Sequence, residues 1–272
     1  MNRYQKLFTN LHQQKLGAFV PFITVGDPDP DSFINIIDTL IEAGADALEL
    51  GIPFSDPLSD GPAIQKSMER AFKSGINFFL CLKLINDIRS KYPHLPIGLL
   101  IYANLIMKHG IKNFYCNCSK LNIDSVLIPD LPIEESSLFY KTAMYYKIAH
   151  IFICPPNANF NLIKQITNQG QGYIYLLSRP GITGINNDEF NITVLNMLIQ
   201  HIKQQKRVLP ILQGFGIHTP DQAHQSLLSG TSGVIIGSAI ANIIEDNLSS
   251  NPIILLTQLK KLTHLIKISM KL

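Results

Sequence analysis

The stretch ALELGIPFSDPLSDGP, residues 47–62, places three carboxylates close together: Glu49, Asp56 and Asp60. Glu49 falls inside an apolar run that reads as a buried strand. The two aspartates follow in a segment whose prolines and glycine make it a loop, longer than most strand-to-helix connections. With Leu48 and Leu50 turned outward onto helices, Ala47, Glu49 and Gly51 face inward. A carboxylate buried there must be paired or have a raised pKa, and none of the predicted strands contains a Lys or Arg to pair with it. Such a group exchanges protons near neutral pH, which is general acid–base chemistry. The competing expectation is a structural glutamate bonded to loop amides. For Asp60, just ahead of Gly61 and Pro62, helix cap and catalytic group stand level; for Asp56 a cap is favoured, and Asp46 is expected to be structural.

A second kind of chemistry is written in glycines. ILQGFGIHTPDQ sets Gly214 and Gly216 between a strand and a helix start, and GVIIGSAIANII does the same with Gly237 and Ser238. Glycines let backbone approach a ligand closely, and N–H groups at a helix start attract phosphate. GFG lacks the third glycine of a dinucleotide fingerprint, so NAD binding is not supported. LLSRPGITG, residues 176–184, adds a third glycine-rich loop, with Arg179 as an anion partner and a length that suits a lid.

These groups need a scaffold. Eight strand candidates run through the chain at 18–25, 46–51, 96–102, 124–128, 149–154, 172–177, 208–213 and 233–237. Helical periodicity fills the intervals, as in 31–44, 61–75, 133–146, 219–230 and 251–266. Asp31 is a candidate N-cap, Thr219 caps a helix opening on Pro220, and Gly44, Gly75 and Gly230 close helices. Repeated strand–helix alternation predicts a (β/α)8 TIM barrel occupying residues 1–272 as one domain, with a doubly wound open sheet as the alternative. Residues 3–14 form an extra N-terminal helix expected to cover the closed end, and 76–92 an additional helix. In a barrel, Glu49 and the loops after strands six, seven and eight all lie at the C-terminal mouth, where such folds build active sites and bind phosphate.

Composition narrows the classes. With 46% apolar and 16% charged residues the chain is expected to be ordered and globular, and its net charge of +3 is too dispersed for a nucleic-acid surface. The N-terminal segment is too polar for a signal peptide and no apolar run spans a bilayer, so a soluble cytoplasmic protein is expected. Cys81, Cys116, Cys118 and Cys154 show no metal or disulfide spacing, nor do the eight histidines form a metal motif, so no metal site is expected.

The segments GAFVPFITVGDPDP, ALELGIPFSDPLSDGPAIQ, GLLIYANLI, DSVLIPDLPIEES, YIYLLSRPGITG and LQGFGI, in order along essentially the whole chain, resemble the tryptophan synthase alpha subunit family. The resemblance implies a TIM barrel that cleaves indole-3-glycerol phosphate to indole and glyceraldehyde 3-phosphate, a retro-aldol reaction without a cofactor in this chain. It implies that Glu49 is the acid/base residue and that Asp60 meets the indole N–H. Tyr175 stands beside Glu49 in that scheme, and Phe22, Leu100, Leu127 and Ile153 hold the ring. Thr183, Gly184, Gly214, Phe215, Gly216, Gly237 and Ser238 bind the rest of the substrate, chiefly its phosphate. It further implies a pyridoxal-phosphate-dependent beta subunit as partner in an alpha2beta2 heterotetramer, receiving indole for tryptophan biosynthesis. Contact or signalling is expected through Pro53, Phe54, Asp56, Tyr102, Asn104 and residues 131–135.

Three positions depart from the family pattern. Ile236 replaces a frequent serine and is expected to remove a hydroxyl from the phosphate neighbourhood. Pro180 stiffens the lid loop and removes an N–H, and Pro129 replaces a small residue. The competing functions are another phosphate-binding barrel, an isomerase or epimerase, and a subunit that chiefly activates a partner.

Overall fold

The short β-branched runs form parallel strands, and a parallel neighbour can be reached only by a crossover, which the intervening helices supply. The computed structural model describes residues 2–177 and 192–271. Its strands are β1 (Ala18–Thr24), β2 (Leu48–Gly51), β3 (Ile97–Leu100), β4 (Ser125–Leu127), β5 (Ala149–Cys154), β6 (Ile174–Leu177), β7 (Ile211–Gly214) and β8 (Gly233–Ile236). They pair in sequence order, and β8 returns to β1 to close the barrel.

Among the described residues the helices are α1 (Arg3–Gln13), α2 (Pro30–Glu42), α3 (Pro62–Lys73), α4 (Phe78–Lys91), α5 (Ala103–His109), α6 (Ile111–Lys120), α7 (Ser137–Tyr145), α8 (Phe160–Gln169), α9 (Ile192–Lys203), α10 (Pro220–Leu228), α11 (Ser238–Asp246) and α12 (Pro252–Ser269). The fold is a TIM barrel with an extra N-terminal helix and further added helices.

Alternation along the strands sorts side chains into two layers. Leu48, Leu50, Leu99 and Val126 pack outward with helix residues such as Ile36, Leu40 and Ile85. Phe22, Ala47, Leu100, Leu127, Ile151, Tyr173, Tyr175 and Leu212 form the inner cluster. Register carries Glu49 between Phe22 of β1 and Gly98 of β3, and Gly98 lies opposite Ser125. Gly98 has to be small: a Cβ there would come within 2.5 Å of Ser125 Oγ and 3.0 Å of the Tyr4 hydroxyl.

The closed end is sealed by α1, as its position in the sequence predicts. Tyr4 is buried, shares a 2.8 Å hydrogen bond with Ser125, and sets its ring edgewise to Tyr173, centroids 5.4 Å apart. Two aspartates latch this end. Asp46 Oδ2 accepts from the Phe19 amide at 2.7 Å and Lys267 Nζ at 2.6 Å. Asp124 accepts from the Ile97 amide and Arg89, both at 2.8 Å, and from Arg3 at 3.0 Å.

Local signals hold with some corrections. Thr219 caps α10 ahead of Pro220, and Gly44, Gly75 and Gly230 take the positive φ that terminates a helix. Asp29, not Asp31, caps α2: with Pro30 as the first helical residue, the extended residue before it offers its carboxylate to the amides of Asp31 and Ser32. The helical stretch expected at 133–146 divides into a 3₁₀ turn, Ile133–Glu135, and α7.

Candidate active site

Glu49 reaches the barrel interior because β2 alternates, and the site builds outward from it. Only 1% of its surface is exposed. Tyr173, just ahead of β6, donates a 3.0 Å hydrogen bond to Glu49 Oε1, while Oε2 has no partner among the described residues. Burial pushes the carboxyl up to about 7; the Tyr173 bond pulls it down and the charge of Asp60 adds to the rise. Among the described residues no cation pairs with Glu49, and its raised pKa lies in the range where a carboxyl exchanges protons near neutral pH.

Asp60 arrives by a different route. Gly61, in extended conformation, occupies the cap position of α3 and makes no side-chain capping bond, which overturns a capping role for Asp60. The Asp60 carboxylate turns inward and accepts a 2.6 Å hydrogen bond from the Tyr102 hydroxyl, which itself accepts from the Ser59 amide at 3.1 Å. Burial raises Asp60 to about 6, partly offset by Tyr102. Asp56 caps no helix either: it sits exposed in the loop and accepts from Ser55 Oγ at 2.5 Å. Tyr102, expected to take part in partner contact or signalling, is buried and stacked on Phe54.

Above these groups opens a cavity of about 520 Å³, lined by Asp60, Leu100, Leu127, Ile153, Tyr175 and Phe215 among others. A smaller recess of about 40 Å³ adjoins it and shares Asp60, Leu100, Tyr175 and Phe215; its other walls include Phe22, Gly216, Gly237 and Ser238. The apolar walls suit a flat ring, and the glycine-walled recess suits a small polar group. Phe215 and Gly216 both have positive φ, at 65° and 79°. Gly237 caps α11 without a side-chain bond, which leaves first-turn amides available to an anion. Ser238 Oγ lies 3.4 Å from His218 Nδ1.

Of the residues singled out in the sequence, Glu49, Asp60, Phe22, Leu100, Leu127, Ile153, Tyr175, Phe215, Gly216, Gly237 and Ser238 come together at or beneath this mouth. Gly214 lies directly behind Tyr175. Thr183 and Gly184, with Arg179 and Pro180, lie outside the described residues. Ile236 is fully buried in the outer layer against helices, because β8 turns Ile235 inward. It therefore does not border the recess, contrary to expectation. Pro129 borders the large cavity. Tyr173 escaped the sequence reading, although its spacing of two from Tyr175 was a signal that both face inward. Among the described residues, no group of His, Cys, Asp and Glu is placed to hold a metal, and no helix is long and apolar enough to cross a membrane.

A closed barrel with two carboxylates of raised pKa toward its mouth has the fold of a TIM-barrel enzyme and groups suited to acid–base chemistry. Residues 8–269 match the family model described as tryptophan synthase alpha chain, and the chain belongs to that family. It is 72% identical to the tryptophan synthase alpha chain of Blochmanniella floridana over the whole of both chains, and 52% identical to that of Citrobacter koseri over 96% of each. The solved alpha subunit from Legionella pneumophila str. Paris is 30% identical, with a TM-score of 0.87 covering 99% of this chain and 98% of that one. The Mycobacterium tuberculosis tryptophan synthase, 22% identical with a TM-score of 0.87 over 100% and 99%, shares the fold. This chain is accordingly the lyase component that cleaves indole-3-glycerol phosphate to indole and glyceraldehyde 3-phosphate, with a beta subunit as its partner.

Proposed function

We propose that Glu49 carries the proton in this cleavage. As a carboxylate it takes the proton of the hydroxyl on the carbon joined to the indole ring, and as an acid it protonates ring carbon C3. The ring then holds the positive charge, the carbon–carbon bond breaks toward it, and the hydroxyl carbon leaves as the aldehyde. Asp60, held by Tyr102, faces the ring nitrogen and stabilises the charge that develops there. Leu100, Leu127, Ile153, Phe22 and Tyr175 hold the ring, and Gly214, Phe215, Gly216, Gly237 and Ser238, with Thr183 and Gly184, bind the phosphate end. The observation that carries this reading is the burial of Glu49 with no cation beside it among the described residues, its pKa brought to about 7.

The whole chain acts as one domain in the cytoplasm. Pyridoxal phosphate belongs to the beta subunit; neither compartment is lined by a lysine among the described residues. Two alpha and two beta chains assemble, and indole passes to the beta subunit for tryptophan synthesis. Loop residues at the mouth meet that partner, including Leu58, which is 82% exposed. Indole release from indole-3-glycerol phosphate by wild type and Glu49→Gln tests the chemistry: a variant within tenfold of wild type removes Glu49 from its role. Sedimentation with the beta subunit tests the stoichiometry.

A further inference from the structure

Helices α3 and α11 lie side by side against β1, and each starts at one end of the proposed substrate site. Asp60 stands two residues ahead of α3, and Ser238 opens α11. Between the two starts lies the small recess. Beneath it, Ile64 and Ser67 of α3 meet Ile240, Ala241 and Ile244 of α11 along Phe22 and Thr24, and the Thr24 and Ser67 hydroxyls share a 2.5 Å hydrogen bond.

About 12 Å further along the helices, two turns from their starts, Arg70 of α3 joins three elements. Its Nε and Nη2 donate to the two oxygens of Asp27, in the loop after β1, at 2.7 and 2.9 Å, and its Nη1 donates to Glu245 of α11. Lys66, one turn earlier, reaches the same Glu245 carboxylate at 3.1 Å. The Asp27 side chain is 1% exposed and that of Arg70 11%, whereas Glu245 is 34% exposed. An ordinary surface ion pair gains little because two long side chains must be ordered to make it. Here the guanidinium is already fixed by its two-bond grip on Asp27, so Glu245 meets a donor that needs no further ordering. Hydrogen bonding from Lys66 and the charge of Arg70 hold the Glu245 carboxyl below its usual range.

We propose that Arg70 and Glu245 are a positioning pair that sets the spacing between Asp60 and the phosphate cradle at Ser238, fitting the site to the length of the substrate from ring nitrogen to phosphate. The proposal rests on the assignment of Ser238 and its neighbours to phosphate binding. Neither residue lines the cavity or the recess. Glu49, on β2, is not part of the link, so loosening α11 misplaces the phosphate end and leaves the proton transfer in place.

Glu245→Gln tests this on the full chain, because it keeps the side-chain shape and leaves the buried Asp27–Arg70 pair intact. Arg70→Lys is the second variant: it keeps the charge but has no planar fork with which to hold both partners. In each, the KM for indole-3-glycerol phosphate should rise at least about threefold, with kcat within about twofold. The inhibition constant of inorganic phosphate should weaken by the same factor, and that of indole should stay within about 1.5-fold. Smaller changes in the KM and phosphate constant overturn the proposal, as does equal weakening of indole and phosphate, which marks general loosening. Failure of wild type to bind inorganic phosphate at all would refute the cradle itself, a result read without any variant.

Discussion

The ring of Tyr175 fills the space in which a side chain at Gly214 would begin: a Cβ built there would lie 2.2 Å from the ring and from its hydroxyl. The two residues belong to neighbouring strands, and Tyr175 borders both compartments of the site. The glycine is therefore a condition for the position of the tyrosine. Gly214→Ala should displace Tyr175 and lower kcat/KM for indole-3-glycerol phosphate by at least about tenfold, since small misplacements in a closed site are costly. A crystal structure of the variant with Tyr175 unmoved and activity unchanged would contradict this.

Replacing Glu49 with Gln should remove indole release by about a hundredfold or more and alter stability with a definite pH signature. The folded-state pKa of about 7 exceeds the ordinary 4.5. Unfolding between these values releases a proton, so the contribution of Glu49 to stability is present below pH 4.5 and lost as pH rises through 7. Above 7 the wild type bears a cost of about 3 kcal/mol that the neutral amide does not. Chemical denaturation should find Glu49→Gln the more stable protein at pH 8, with the difference vanishing near pH 4. Equal stabilities at pH 8 would show that the carboxylate is not held at a raised pKa.

Tyr173→Phe keeps the ring and removes the hydrogen bond that favours ionised Glu49. The Glu49 pKa should move upward from about 7, and the apparent pKa in the profile of kcat/KM with it. A profile that drops in height without moving along the pH axis would mean that Tyr173 acts only through packing.

Tyr102→Phe acts in the same way on the second carboxylate. Without the 2.6 Å bond from Tyr102, Asp60 should protonate at a pH above its present value of about 6. More of the enzyme is then neutral at position 60 at pH 6, so activity relative to wild type should fall more at pH 6 than at pH 8. Asp60→Asn should be impaired across the whole range. Parallel losses by Tyr102→Phe at both pH values would argue against control of Asp60 ionisation.

Much of this arrangement is legible in the sequence, because the strongest signals are local. Strand alternation was enough to turn Glu49 inward, and the absence of strand lysines and arginines was enough to anticipate its pKa. Asp60 could not be settled in that way. Its inward turn depends on Gly61 taking the cap position and on Tyr102, 42 residues on, supplying a hydrogen bond. The Asp27–Arg70–Glu245 link is formed by residues 43 and 175 positions apart, beyond the reach of any short motif. For Ile236 the family pattern alone misleads, because strand alternation turns position 235 inward and position 236 toward the helices. Asp29 rather than Asp31 is the cap because Pro30 between them fixes the helix start.

The latches at Asp46 and Asp124 are variants of one device. Each carboxylate stands just ahead of an even-numbered strand, accepts the amide of the odd-numbered strand before it, and receives a basic side chain from outside the sheet. They secure the floor of the barrel, while Glu49 and Asp60 lie toward its rim. Changes in the latch residues should therefore alter how long the folded molecule lasts far more than how fast it turns over. A lineage can adapt its thermal endurance at one end of this cylinder while leaving its catalysis, at the other, almost untouched.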